Sequence, residues 1–151
     1  MSLKMLVGSG DKIAVATLPV VAVGLVLNAM FPSFFSVGGP PSWLAAISIA
    51  VTVVGVTIWL WSAALIVGKV PHHELIETGP FKLMRHPIYT SVSLLVIPWV
   101  GFLLNTWLGV VIGVVMYLAT RRYGPEEERY LAETFGPEWD QYRRTVFFPW
   151  V

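Results

Sequence analysis

The chain has 151 residues, 56% of them hydrophobic and 13% charged, with a net charge of +1 and a mean hydropathy of +0.70. Soluble domains carry about 25% charged residues, so this composition reads as a multi-spanning membrane protein. The small net charge offers no broad basic surface to a nucleic acid. The absence of cysteine excludes a disulfide framework, a thiolate metal site, an iron–sulfur cluster and a cysteine nucleophile.

All Asp, Glu, Lys and Arg fall into segments 1–12, 69–85 and 121–144. The blocks between them, 13–68 and 86–120, are charge-free and long enough for roughly two spans each, at about 20 residues per span. In chain order, a short tail with Lys4, Asp11 and Lys12 precedes a first span at 13–31. A cleaved signal peptide is the competing reading, but the run has span length and no small-residue cleavage pattern follows it. Residues 31–41 form an uncharged Pro- and Gly-rich turn, and 42–67 a second span with Trp43, Trp59 and Trp61 near its ends, where aromatic rings favour the membrane interface. A polar loop occupies 69–89. The third span, 87–104, contains Pro98, which predicts a kink. After Asn105-Thr106 the fourth span, 107–120, carries Gly109 and Gly113 at a spacing that admits a close neighbour.

The Lys and Arg distribution sets the orientation. The loops after spans one and three have none, whereas the tail, the central loop and the C-terminal segment are basic. Four spans with the termini and the central loop in the cytoplasm fit this pattern. The C-terminal segment 121–151 predicts a short helix starting at Pro125, stopped by Gly136-Pro137, and a second from Pro137 to about Arg144. Leu131 and Phe135 at i, i+4, and Trp139 and Tyr142 at i, i+3, give each an apolar side to lie on the membrane surface or over the span bundle. Phe147, Phe148 and Trp150 form an interfacial anchor at its end.

Several polar clusters are candidates for chemistry. Arg85-His86-Pro87-Ile88-Tyr89 places a cation, an imidazole and a phenol at a helix start, whose free N–H groups and positive dipole end favour an anion such as a carboxylate. The plain alternative is positive-inside anchoring with an aromatic belt. Glu126-Glu127-Glu128 either complements a helix dipole or binds a cationic group. His72-His73-Glu74 is too small for a closed metal site and reads as a solvated loop, with ligand contact from one His as the minority view. Arg143-Arg144 attracts anionic headgroups or, less favoured, recognises an acidic substrate group.

The order and spacing of these clusters carry more than each alone. Glu77-Thr78-Gly79-Pro80-Phe81-Lys82, Arg85-His86-Pro87-Ile88-Tyr89, two spans, Glu127-Glu128-Arg129-Tyr130-Leu131 and Phe135-Gly136-Pro137-Glu138-Trp139-Asp140-Gln141-Tyr142 together resemble the isoprenylcysteine carboxyl methyltransferase family. Phospholipid methyltransferases share the C-terminal pattern. The match covers roughly residues 72–149, and the N-terminal half matches only as apolar helices.

Taken with the charge-free blocks, the resemblance fits one all-α, polytopic membrane domain over 1–151, with about four transmembrane helices and a short cytoplasmic C-terminal helical segment. It implies an S-adenosylmethionine-dependent methyltransferase acting at the cytoplasmic interface. The acceptor is a lipophilic small molecule, a lipidated carboxylate or a phospholipid amine. The implied cofactor pocket takes His73, Leu75, Gly79, Pro80, Phe81, Arg85, His86, Pro87, Tyr89, Glu127 and Glu128. His86, Tyr89 and Arg144 are the implied catalytic candidates, and no metal is involved. Phe81 stands where the family often has Tyr. Arg85 and helix N–H groups suit the cofactor's carboxylate, Glu127 or Glu128 its ammonium, and Tyr89 or Tyr123 its sulfonium. Two alternatives stay open: an NADPH-dependent enzyme like the membrane sterol reductases, which would be expected to have Asn at position 88, and a non-catalytic membrane scaffold.

Overall fold

The structure is a computed structural model that describes residues 9–72 and 74–148. His73, Lys4 and Trp150, each given a role above, lie outside the described residues. The described chain is all-helical, and Met84 and Phe148 form an isolated backbone bridge. Helix α1 spans Gly10–Met30, α2 Pro32–Phe35 and α3 Ser42–Lys69. Helix α4 covers Pro87–Leu103, α5 Leu108–Phe135 and α6 Pro137–Thr145. Short 3-10 turns at Val70–His72 and Gly79–Lys82 shape the loop between α3 and α4.

Helices α1 and α3 are long and apolar enough to cross a membrane. Helix α4 is shorter, and the apolar part of α5 runs on into a polar one. The expected four spans therefore divide into two of full length and two that length alone does not establish.

The packing is inverted relative to a water-soluble bundle. The buried positions of α3 are Ser48, Gly55 and Ser62, while Ile47, Ile49, Val53, Val54 and Leu60 face outward. Helix α1 likewise buries Ile13, Thr17 and Gly24 and exposes Val15, Leu18, Val23 and Leu25. Small residues on inner faces let helix backbones approach, and apolar side chains on outer faces suit a hydrocarbon surround. The Ser62 and Thr17 hydroxyls donate to carbonyls four residues back, so they need no solvent.

Two proline effects separate the observed helices from the expected ones. Pro98 cannot donate to the carbonyl one turn before it, and the chain widens into a π-helical stretch at Ser91–Val96 just ahead of it. Pro125 was expected to begin a new helix after a break. Instead α5 runs unbroken through it. The proline ring lies on an exposed face while its neighbour Gly124 is buried against His86, so inward packing on that side accompanies the uninterrupted helix. The break comes at Gly136, whose φ of 53° is in the left-handed region. Helix α6 follows, as expected for Pro137 onward.

Helices α4 and α5 cross where Gly101 and Gly109 meet. A Cβ on Gly101 would lie 2.9 Å from the Gly109 Cα. Gly109 and Gly113 thus serve packing within the chain. At that end Phe35 and Trp107 stack with centroids 4.9 Å apart, and the Trp107 indole N–H donates to the Phe34 carbonyl at 2.9 Å.

Candidate cofactor site

The opposite end of the bundle gathers the polar motifs. His86 precedes α4 and Pro87 takes its first position, where the missing N–H costs nothing. Pro87 is fully buried and anchors the turn that aims Arg85 and His86. Helix α5 brings the acidic run alongside. Successive helical residues point about 100° apart, so the three glutamates reach three different partners. Glu126 pairs with Lys12. Glu127 accepts from the Ser9 backbone N–H at 3.1 Å. Glu128 accepts from Arg85 Nη1 at 2.7 Å on one oxygen and lies 3.1 Å from His86 Nε2 on the other.

The Glu128 carboxyl is half-buried, and burial alone would raise its pKa. The His86 hydrogen bond and the Arg85 charge together outweigh that, and hold it below the ordinary carboxylate range. Arg85 keeps an unused donor, since its buried Nε has no hydrogen-bond partner among the described residues.

Arg85 and Glu127 line one cleft together with Leu75, Phe81, Phe135 and Trp139. Its atom-free space, open mouth included, is about 610 Å³. Trp139, Tyr142 and Val146 form a buried cluster beneath it, with Leu75, Leu131 and Phe135 packed on top. The Tyr142 hydroxyl donates to the Phe81 carbonyl at 2.8 Å and fixes the Gly79–Lys82 turn. Burial pushes the Tyr142 phenol above its usual pKa, against the charge of Arg85. Gly79 has φ of 62°, and a Cβ there would meet Trp61 at 3.0 Å. Glycine is therefore required twice over, by conformation and by space. Trp61, expected at the interface, also serves as a wall for this turn.

A second hollow, with about 440 Å³ of atom-free space, lies across the Glu128 clamp. Among its lining residues are His86, Thr90, Tyr117, Thr120 and Glu128. The Thr90 hydroxyl is buried without a partner among the described residues.

The structure thus brings Leu75, Phe81, Arg85 and Glu127 to the cleft, with Gly79 and Pro80 shaping its turn. Glu128 and His86 form the clamp beside it. Tyr89 is half-buried, with its ring 6.1 Å from that of His86. Tyr123 uses its backbone carbonyl to hold the Ser9 hydroxyl, and the Arg122 guanidinium lies 5.8 Å from its ring centre. Arg144 is exposed on α6. Thr90, Phe135, Trp139 and Tyr142 were missed as site residues. The apolar spacing of Leu131, Phe135, Trp139 and Tyr142 was legible, but as a membrane-facing or bundle-covering side rather than a cleft wall.

Comparison with known proteins gives a family over the central part of the chain. The model of the isoprenylcysteine carboxyl methyltransferase (ICMT) family matches residues 41–133. The nickel-cobalt-cadmium resistance protein NccN of Alcaligenes xylosoxydans xylosoxydans is 31% identical over 114 residues, covering 72% of this chain and 53% of that protein. The cobalt-zinc-cadmium resistance protein CzcN of Cupriavidus metallidurans is 32% identical over 118 residues, covering 72% and 52%. Protein-S-isoprenylcysteine O-methyltransferase B of Arabidopsis thaliana is 29% identical over 75 residues, covering 50% and 38%. The chain therefore spans about half, or less, of the length of these relatives. No solved structure matches.

Proposed function

This chain belongs to the isoprenylcysteine carboxyl methyltransferase family, and from that premise we propose that it is an S-adenosylmethionine-dependent methyltransferase acting on a lipophilic acceptor at the cytoplasmic face of a membrane. The observation that carries the proposal is that Arg85 and Glu127 line one cleft. The Arg85 guanidinium, whose buried Nε has no partner among the described residues, offers donors to a ligand carboxylate. Glu127 supplies the opposite charge for the ammonium of the same amino-acid moiety. Phe81, Phe135 and Trp139 offer apolar and aromatic surface to a nucleoside.

When bound, S-adenosylmethionine supplies a methyl group from a sulfonium whose charge is lost in the transfer. The chain's own contribution is alignment and exclusion of water. The Glu128 clamp fixes Arg85 and His86, and Tyr142 fixes the turn carrying Phe81. A carboxylate acceptor needs no base at neutral pH. For an amine acceptor, His86 is placed at the second hollow to take the proton. Tyr89 supports the sulfonium end, and Arg144 on the exposed face of α6 meets anionic headgroups or an acidic acceptor.

The membrane arrangement follows the inverted packing. Helices α1, α3, α4 and the first half of α5 form four passes, with the Glu126–Glu128 end in the cytoplasm. That end also holds the start of α1, as the basic residues require. The acceptor enters from the bilayer between helices, its head arriving at the interface.

The test is isothermal titration of detergent-purified protein with S-adenosylmethionine, S-adenosylhomocysteine and NADPH in separate runs, beside Arg85→Ala and Glu127→Ala. Binding of the two adenosyl ligands, weakened in both variants, is the expected result. Binding of NADPH alone would replace this reading with the reductase one, and binding of none with a non-catalytic scaffold.

A further inference from the structure

We infer that Ser9 is a positioning residue of the adenosyl-ligand site, its backbone N–H holding the Glu127 carboxylate against the cleft. The inference rests on the methyltransferase reading above. It extends the site to helix α1, which lies outside the family match at residues 41–133.

The contacts at the start of α1 divide into two kinds. The Ser9 hydroxyl donates to the Tyr123 carbonyl at 3.0 Å, and Lys12 pairs with Glu126. Both attach α1 to α5 without touching the cleft. The Ser9 N–H is different, because its acceptor, Glu127 Oε2, belongs to a cleft-lining side chain. Ser9 is only 5% exposed, so its N–H is largely shielded from water on the donor side. The N–H lies ahead of the first turn of α1, where no helix carbonyl claims it and where a carboxylate is electrostatically favoured.

A free glutamate has several rotamers, most of which would turn its charge away from a ligand. One oxygen tied to Ser9 restricts that choice and leaves Oε1 for a ligand ammonium. At the far end of the same helix pair, the Thr106 hydroxyl donates to Asn28 Oδ1 at 2.8 Å. Along it, a Cβ on Gly24 would lie 2.7 Å from a Leu108 methyl. Helix α1 is thus registered against α5 along its length, and Ser9 is delivered to Glu127 with little freedom.

The experiment is titration of S-adenosylhomocysteine into detergent-purified full chain. Ser9→Pro deletes the N–H at a position whose φ of −90° is close to what proline accepts. Ser9→Ala keeps the N–H and deletes only the hydroxyl bond. With Glu127 released to rotamers that turn its charge away from the cleft, Ser9→Pro is expected to weaken binding by about three- to tenfold. Ser9→Ala should stay within about twofold of the parent, a range within the measurement. In a Glu127→Ala background, Ser9→Pro should have no further effect. A purely structural Ser9 would lose affinity in both single variants, or keep its effect without Glu127, and either result overturns the inference. Should Ser9→Pro not fold, the Ser9 amide proton in ¹⁵N-labelled parent protein carries the test. It is expected downfield and should move upfield in Glu127→Ala, and an unmoved resonance overturns the inference. A parent chain that binds no adenosyl ligand removes the methyltransferase reading and this inference with it. A binding parent with unaffected Ser9→Pro removes this inference alone.

Discussion

Glu128 on α5 accepts a hydrogen bond from Arg85, 43 residues earlier in the chain, at 2.7 Å, and its other oxygen holds His86. This clamp stands between the cleft that Arg85 lines and the hollow that His86 lines. Glu128→Gln removes the charge but keeps the shape. With the pair only partly shielded from solvent, the loss is expected at about 2 kcal/mol, read as a lower melting temperature in detergent. Titration of the variant should also show weaker adenosyl-ligand binding, because Arg85 is no longer held.

The same clamp sets an acid limit. The Glu128 pKa is depressed in the folded chain, against an unfolded value of about 4.3. A depressed carboxyl contributes stability that is fully present above the unfolded value and is lost as pH falls through the folded one. Melting temperature should therefore fall more steeply below about pH 4 in the parent than in Glu128→Gln. Parallel curves for the two proteins would show that other carboxylates dominate acid unfolding.

Tyr142→Phe deletes the hydroxyl that donates to the Phe81 carbonyl and keeps the ring. The expected cost is about 1 kcal/mol in stability. The effect on ligand affinity should be larger than this alone implies, since the Gly79–Lys82 turn forms one wall of the cleft. Titration and melting on the same preparation separate the two effects.

Glycines offer a contrast in sign. A Cβ on Gly113 would collide with the Ser93 carbonyl and come within 2.8 Å of Pro98, whereas one on Gly68 meets nothing within 4 Å. Gly113→Ala should destabilise by about 1–3 kcal/mol through backbone displacement. Gly68→Ala, in the last turn of α3, should stabilise by up to about 1 kcal/mol. Thermal melts of the two variants against the parent decide both signs.

Much of this was legible in the chain. Charge-free blocks marked the apolar helices, and the pairing of Arg85-His86 with Glu127-Glu128 predicted a shared site. What the order of residues does not carry is azimuth. Glu127 and Glu128 read as an equivalent pair, yet a rotation of about 100° between them sends Glu127 to the cleft and Glu128 to the clamp. Pro125 read as a helix start because an isolated sequence gives a proline only its local cost. The contact between Gly124 and His86, across 38 residues, is what the local rule omits. The apolar face of Trp139 and Tyr142 is visible in the sequence, but not that its partners include the polar loop, through the Tyr142 hydroxyl on the Phe81 carbonyl. Ser9 gave no signal, because its part is played by a backbone N–H that every residue but proline has.

Thr90 provides a last test of how the second hollow is used. Its hydroxyl is buried and has no partner among the described residues, while Thr17, Ser62 and Thr120 each donate to a carbonyl one turn back. A buried unsatisfied hydroxyl costs about 1–3 kcal/mol, so Thr90→Val, which has nearly the same shape, should raise the melting temperature by an amount equivalent to about 1 kcal/mol or more. Thr90→Ser keeps the hydroxyl and should give no such gain. The hollow that Thr90 lines is shared with His86 and Glu128, so a group that satisfies the hydroxyl sits next to the clamp. If Thr90→Val melts no higher than the parent, the hydroxyl is already bonded to water in the hollow. The stability gain and the polarity of that hollow are therefore measured by one substitution.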